Sequence, residues 1–118
     1  MPKAVPVCVV ETPEFLSATR KLMSDEERGL LVDYLAYNPT AGDLIQGTGG
    51  LRKVRRSLDT RGKSGGARVI HFYHGPGMPL FALTAYAKNE KADLSQQDRN
   101  DFRQLTAWLV QSFKRTNP

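Results

Sequence analysis

The chain has 118 residues, is 40% apolar and carries a formal net charge of +5. This length fits one hydrophobic core, and the ordinary apolar fraction argues against wholesale disorder. A single cysteine excludes an internal disulfide, and no apolar run approaches the length of a membrane span. We therefore expect a cytoplasmic protein that forms one domain over residues 1–118 and has no membrane contact.

The N-terminal third predicts one strand followed by two helices. The run Val5 to Val10 is apolar and largely β-branched, which is typical of a short buried strand, and we expect Cys8 to be buried in it. Thr12-Pro13-Glu14 predicts a helix start, with the threonine as N-cap and the proline at the first helical position. Ser24-Asp25-Glu26-Glu27 has the capping-box pattern and opens a second helix, which ends before Pro39.

Apolar residues give each of these helices a side that we expect to face the core. They are Phe15, Leu16, Leu22 and Met23 in the first helix, and Leu30, Leu31, Tyr34, Leu35 and Tyr37 in the second.

The rest of the chain predicts three more strands and a final helix. After a glycine-rich connection with positive φ angles, the predicted strands are Leu51 to Arg56, Arg68 to His74 and Pro79 to Ala87. Ser95 caps the last helix, in which Phe102, Leu105, Leu109 and Phe113 recur at helical spacing with Trp108 beside them. The order β-α-α-β-β-β-α predicts an α+β fold, in which two N-terminal helices and a C-terminal helix pack against an antiparallel four-stranded sheet.

Basic residues are concentrated in one segment of seventeen residues, from 52 to 68. Its seven cations are Arg52, Lys53, Arg55, Arg56, Arg61, Lys63 and Arg68. Asp59 is the only acid among them, so the remainder of the chain is nearly neutral. A solvated edge strand would explain one or two of these cations, but seven of them interleaved with glycines favour a polyanion-binding site.

Other patterns point to neither a metal nor a cofactor. His71 and His74 lie three apart on a predicted strand, which puts them on opposite faces, and no third ligand is placed near them. Gly62-Lys63-Ser64 lacks the earlier glycine and the following helix of a phosphate-binding loop.

Lys88 and Glu90 follow the last strand, where they either end it or bring a second cation and a carboxylate to the basic segment.

Three blocks of sequence resemble one known family. The blocks are Gly47 to Arg55, Gly65 to Ile70, and Thr84 to Glu90 followed by Asp93-Leu94-Ser95. In this order and spacing they resemble the RelE/HigB family of bacterial toxins, and most closely its HigB-type branch. The order of predicted elements also matches the RelE-like fold, so the resemblance covers nearly the whole chain.

The resemblance implies the toxin of a type II toxin–antitoxin pair. Such a toxin is an endoribonuclease that cleaves mRNA in the ribosomal A site, inhibits translation and needs no metal. The implied partners are mRNA, ribosomal RNA and a cognate antitoxin with a helix-turn-helix. The toxin–antitoxin pair would bind operator DNA only through the antitoxin.

The family's functional residues transfer to this chain only where they match. Its catalytic cations fall on Lys53, Arg55 and Arg68, and the last of them falls on Lys88 or its neighbour Asn89. The best-known RelE toxins have an arginine at the position of Asn89 and a tyrosine near Ser95, and both are absent here.

Metal-free RNA cleavage uses the substrate's 2′-hydroxyl as nucleophile and needs a base, an acid and positive charge around the phosphate. Arg55 and Arg68 suit the charge role, because a guanidinium is permanently charged and fork-shaped. Lys53 is a candidate base, since neighbouring cations disfavour its ammonium form, and His71 and Glu90 are the alternatives. The other four cations are assigned to the RNA backbone: Arg52, Arg56, Arg61 and Lys63. Arg52 and Arg56 have the opposite strand parity, which turns them away from the catalytic cations.

Two other functions stay open at this level. A gyrase-inhibiting toxin of the same fold would bind its target without cutting RNA. A non-catalytic RNA-binding module would bind with an affinity that falls steeply with salt, and would not cleave even with ribosomes present.

Overall fold

The computed structural model describes residues 5–58, 66–90 and 93–116, without the side chains of residues 115 and 116. They form an α+β fold with three helices and a five-stranded, mostly antiparallel sheet, which confirms the predicted fold class. The elements in chain order are β1 (Val9–Glu11), α1 (Pro13–Leu22), α2 (Asp25–Tyr37), β2 (Asp43–Leu44), β3 (Leu51–Arg56), β4 (Ala67–Phe72), β5 (Leu80–Ala87) and α3 (Gln96–Thr116). Within these ranges no helix is both long and apolar enough to span a bilayer.

The sheet differs from the predicted four antiparallel strands in two details. Its order is β1-β5-β4-β3-β2, and β2 is a two-residue strand beside β3 that was not predicted. The pairing of β1 with β5 is parallel, with Val9 opposite Leu80, whereas the other three pairings are antiparallel. Neither detail leaves a local pattern, because β2 is too short to alternate and β1 pairs with a strand about seventy residues away.

Side-chain caps start α1 and α2 where the sequence predicts. The hydroxyl oxygen of Thr12 accepts a hydrogen bond from the backbone N–H of Phe15, 3.2 Å away, and Pro13 occupies the first helical position. Ser24 and Glu27 form the reciprocal capping box: the Ser24 hydroxyl accepts from Glu27 N at 3.1 Å, and Glu27 Oε1 accepts from Ser24 N at 2.9 Å. These bonds satisfy amides that have no partner inside a helix.

The core has two layers, one on each face of the sheet. Between the sheet and the helices α1 and α2, the buried residues include Phe15, Leu31, Leu35, Val54, Val69 and Ala82. Between the sheet and α3 they include Leu51, Ile70, Phe72, Leu83 and Leu109. The predicted apolar residues of α3 that pack on this second layer are Phe102, Leu105, Leu109 and Phe113.

Several residues that were expected in the core lie at the surface. Only Leu31 and Leu35 of the predicted α2 stripe are buried, whereas Leu30, Tyr34 and Tyr37 are exposed. Cys8 is exposed because β1 begins after it. Trp108 is exposed on the outer side of α3, and β1 is only partly buried because it is an edge strand.

The glycine-containing loop between β2 and β3 packs against α3. Thr48 is fully buried, and its hydroxyl donates to Ile45 O and accepts from Leu51 N. Thr106 of α3 donates a hydrogen bond of 3.0 Å to Thr48 O. Gly49 has a φ of +79°, and a Cβ there would collide with the Thr106 hydroxyl, so this close approach requires glycine. The loop thereby fixes β3, which carries the basic segment, relative to α3.

Candidate functional site

Three polar side chains form a row across the middle strands of the sheet. Arg55 of β3 lies directly opposite Arg68 of β4, and Arg68 lies directly opposite Tyr86 of β5. Residues paired in this way project from the same face of a sheet. That face is the one covered by α3, because Tyr86 packs against the core layer that contains Ile70 and Phe72.

Lys53 adds a third cation to the same face. It precedes Arg55 by two residues, and side chains two apart on a strand point the same way. Its Nζ lies 3.6 Å from Oδ1 of Asp93, in the segment that leads into α3. Oδ2 of Asp93 lies 3.2 Å from Nη2 of Arg99, in the first turns of α3. The site is therefore built from three strands of the sheet and the beginning of α3.

Burial differs sharply among the three cations. Arg68 is only 5% exposed, Lys53 is partly buried, and Arg55 is exposed. A guanidinium held away from bulk water exerts a stronger field than one in solvent, because the surrounding dielectric constant is lower. Arg55 and Lys53 remain accessible to a ligand that enters above Arg68.

The environment of the site shifts the pKa values of its tyrosine and its aspartate in opposite directions. Burial raises the pKa of Tyr86, the carboxylates of Asp93 and Asp98 raise it further, and Arg68 opposes them. The backbone N–H of Leu94, which donates to Asp93 Oδ1 at 2.8 Å, is the main cause of the lowered pKa of Asp93. The neighbouring cations add to this lowering. At neutral pH the site therefore contains a protonated phenol beside an ionised carboxylate.

Residues 15–116 match the family model described as the RelE toxin of the RelE / RelB toxin–antitoxin system. The chain belongs to the RelE toxin family. It is a toxin of a toxin–antitoxin system, with an antitoxin as its partner. RelE-family toxins are generally endoribonucleases. The match runs from α1 to α3 and includes every strand that contributes to the row of Arg55, Arg68 and Tyr86.

Two cations of this RelE-family toxin face the opposite side of the sheet, as the strand alternation predicts. Arg52 donates a hydrogen bond of 3.0 Å from Nη1 to the backbone oxygen of Gly42. The Arg56 guanidinium carbon lies 5.1 Å from the centre of the Tyr34 ring, in a cation–π contact. Both arginines are thus engaged by the fold on the α1 and α2 side.

The structure does not bring His71 to the site. Its side chain is fully buried on the α1 and α2 side, opposite Arg52, and Nε2 lies 2.9 Å from Ala41 O. Burial lowers the pKa of His71, the neighbouring Arg52 lowers it further, and the contact with Ala41 partly offsets both. The neutral imidazole supports the connection between α2 and β2, and this structural role accounts for His71 without a part in catalysis.

Lys88 and Glu90 lie just beyond β5, at the end of the sheet next to the row. Both are exposed, and Lys88 N donates to Gly66 O at 3.1 Å while Glu90 N donates to Ala87 O at 3.1 Å. They therefore flank the site at the end of β5. Arg61 and Lys63 lie outside the residues that the structure describes.

The sequence-based interpretation missed Tyr86, Asp93 and Arg99 as members of the site. The reason for Tyr86 is a bulge: Ile70 pairs with Thr84 but His71 pairs with Ala82, so Leu83 is an extra residue in β5. Simple alternation from Leu80 onward would place Tyr86 on the opposite face. Asp93 lies forty residues after Lys53 in the chain, and no local sequence pattern predicts a contact over that separation.

Proposed function

We propose that this toxin is a ribosome-dependent mRNA endonuclease of the HigB-type branch, which acts in the cytoplasm as a single domain and needs neither metal nor cofactor. The observation that carries the proposal is the row of Arg55, Arg68 and Tyr86 with Lys53 beside it. It combines concentrated positive charge with a protonated phenol on one face of a toxin whose family is generally ribonucleolytic.

The proposed reaction is attack of a 2′-oxygen of the mRNA on the adjacent phosphorus. A bond forms between the 2′-oxygen and phosphorus, and the bond from phosphorus to the 5′-oxygen of the next nucleotide breaks. Negative charge builds up on the phosphoryl oxygens in the transition state, and preorganised cations stabilise it. Arg55 and Arg68 supply that charge with paired N–H donors, and Lys53 adds a third positive charge.

Two proton transfers complete this step. Tyr86 carries its proton and lies beside Arg68 in the row, so we assign it to donate that proton to the leaving 5′-oxygen. Glu90, the exposed carboxylate next to the end of β5, accepts the proton of the 2′-hydroxyl. Lys53 forms an ion pair with Asp93, so we assign Lys53 to charge stabilisation rather than to the role of base.

The ribosome and the antitoxin complete the proposal. A site with so few acid–base groups needs its substrate held in place, and orientation by a partner can supply a large share of the rate enhancement. We assign Lys88, Arg61 and Lys63 to the backbones of mRNA and ribosomal RNA, and Arg52 and Arg56 to the general positive field. The cognate antitoxin carries a helix-turn-helix, and only through it does the pair bind operator DNA.

Primer extension on a defined mRNA, with purified toxin, tests the proposal. The expected result is new 5′ ends when translating ribosomes are present and none with naked mRNA. Intact mRNA in both conditions would contradict the proposal, and equal cleavage in both would remove the ribosome from it. Inhibition of gyrase supercoiling by the same preparation, without RNA cleavage, would establish the gyrase-inhibiting alternative instead.

A further inference from the structure

The carboxylate of Asp93 lies between two cations that belong to different elements. One oxygen is 3.6 Å from Nζ of Lys53 on β3, and the other is 3.2 Å from Nη2 of Arg99 on α3. The first oxygen also accepts a hydrogen bond of 2.8 Å from the backbone N–H of Leu94. The carboxylate is thus held by a strand, a helix and its own backbone at once.

This placement of Asp93 is unfavourable for binding RNA. A negative charge beside Lys53 repels an incoming phosphate and offsets part of the attraction of the site. The side chains of Asp93 and Lys53 are 49% and 28% exposed, so the pair is within reach of a ligand. A requirement for RNA affinity alone therefore does not explain a carboxylate at this point.

We propose that Asp93 is a positioning residue that holds the Lys53 ammonium in place for phosphoryl transfer, with Arg99 as the anchor that fixes the carboxylate. This inference rests on the proposed mRNA cleavage. Lysine has a flexible four-carbon stem and a strongly hydrated head, so without a partner its ammonium spreads over many positions in solvent. The contact with Asp93 restricts the Lys53 ammonium to one position above the sheet.

The anchor of Asp93 is rigid because it belongs to a capped helix. Ser95 N donates to Asp98 Oδ2 at 3.1 Å, and Asp98 N donates to Ser95 Oγ at 3.0 Å, which is a capping box at the start of α3. Arg99 follows directly in this turn, so its guanidinium ties Asp93 to the helix. The same carboxylate also helps to keep Tyr86 protonated, since it raises the pKa of that phenol.

The substitution Asp93→Asn separates a positioning role from simple repulsion of RNA. If Asp93 only repels RNA, the substitution should improve cleavage, whereas if Asp93 positions Lys53, the maximal rate should fall. The amide oxygen of asparagine can still accept from Leu94 N, but the negative charge is lost. Without the repulsion, less toxin is needed for half-maximal cleavage of ribosome-bound mRNA. With Lys53 no longer held, the maximal single-turnover rate falls on the order of tenfold.

The experiment is a toxin titration of mRNA-programmed ribosomes under single-turnover conditions, with cleavage followed by primer extension. Asp25→Asn is the matched control, because Asp25 also forms an ion pair, with Arg28 at 3.4 Å, but lies on α2 away from the site. We expect this control to keep the wild-type maximal rate and half-saturating concentration. Far-UV circular dichroism and the melting temperature test whether both variants are folded.

Arg99→Gln provides a second variant in case Asp93→Asn does not fold. It leaves the carboxylate charged and loosens only its anchor, so we expect a smaller fall in the maximal rate, with Arg99→Lys restoring part of it. A folded Asp93→Asn or Arg99→Gln protein with the wild-type maximal rate would overturn the positioning role. Wild-type toxin that leaves the mRNA intact would overturn the proposed function and this inference together.

Discussion

The two faces of the sheet use the same residue types in opposite ways. On the α1 and α2 face, Arg52 bonds to Gly42 O, Arg56 stacks on Tyr34, and His71 contacts Ala41 O. On the α3 face, Arg55 and Arg68 lie directly opposite each other. Like charges in such a pair destabilise a sheet, so folding alone does not explain them. The comparison teaches that the face on which a cation lies, rather than the number of cations, distinguishes structural residues from functional ones.

The largest expected effect comes from Arg68, the buried cation of the α3 face. Arg68→Lys keeps the charge but loses the fork of N–H donors, and we expect the maximal cleavage rate to fall about 100-fold. Arg52→Lys, on the opposite face, is the matched control and should stay within about twofold of wild type. Single-turnover cleavage on ribosomes measures both variants, and equal losses would break the distinction between the faces.

The second prediction concerns His71 and the α1 and α2 face. His71→Ala removes the contact with Ala41 O and leaves a cavity in a fully buried position, so the free energy of unfolding should fall by about 2–4 kcal/mol. The cleavage rate per folded molecule should not change. Urea denaturation and cleavage assays at low temperature test this, and a stable variant without activity would place His71 in the chemistry after all.

The pH dependence of stability also tests the structural role of buried His71. Because burial lowers the pKa of His71, the unfolded chain binds a proton before the folded protein does. The free energy of unfolding should therefore decrease as the pH falls below about 6.5, the ordinary histidine value, until the folded pKa is reached. Urea denaturation at pH 7.5 and 5.5 measures this decrease. It should be smaller in His71→Ala, and identical decreases in the two proteins would contradict the assignment.

The smallest expected effect is a gain in stability on the α3 face. Arg55→Thr removes one partner of the like-charged pair with Arg68 and introduces a residue with high strand propensity. The free energy of unfolding should rise by a few tenths to about 1 kcal/mol, while cleavage is strongly reduced. A loss of stability in urea denaturation would mean that Arg55 is a structural residue like Arg56.

The features that the sequence predicts correctly are local ones. The caps at Thr12 and Ser24 each involve only a few neighbouring residues of the chain, where propensity and hydrogen-bond chemistry act directly. The alternation in β3 likewise separates Arg52 and Arg56 from Lys53 and Arg55.

The features that escaped prediction depend on distant pairings. The parallel contact between β1 and β5, the extra residue Leu83, and the contact of Asp93 with Lys53 join segments that are far apart in the chain. The bulge matters most for function, because it alone turns Tyr86 toward the arginines. One inserted residue reverses the face of everything that follows it in a strand.

The most direct test of the central claim compares two neighbouring arginines on opposite faces of β3. Wild-type toxin, Arg55→Gln and Arg56→Gln are each added to ribosomes translating a defined mRNA, and cleavage is read by primer extension. The α3-face account predicts that Arg56→Gln cuts at nearly the wild-type rate, whereas Arg55→Gln is slowed about 100-fold. Equal rates for the two variants, or a greater loss in Arg56→Gln, would contradict it.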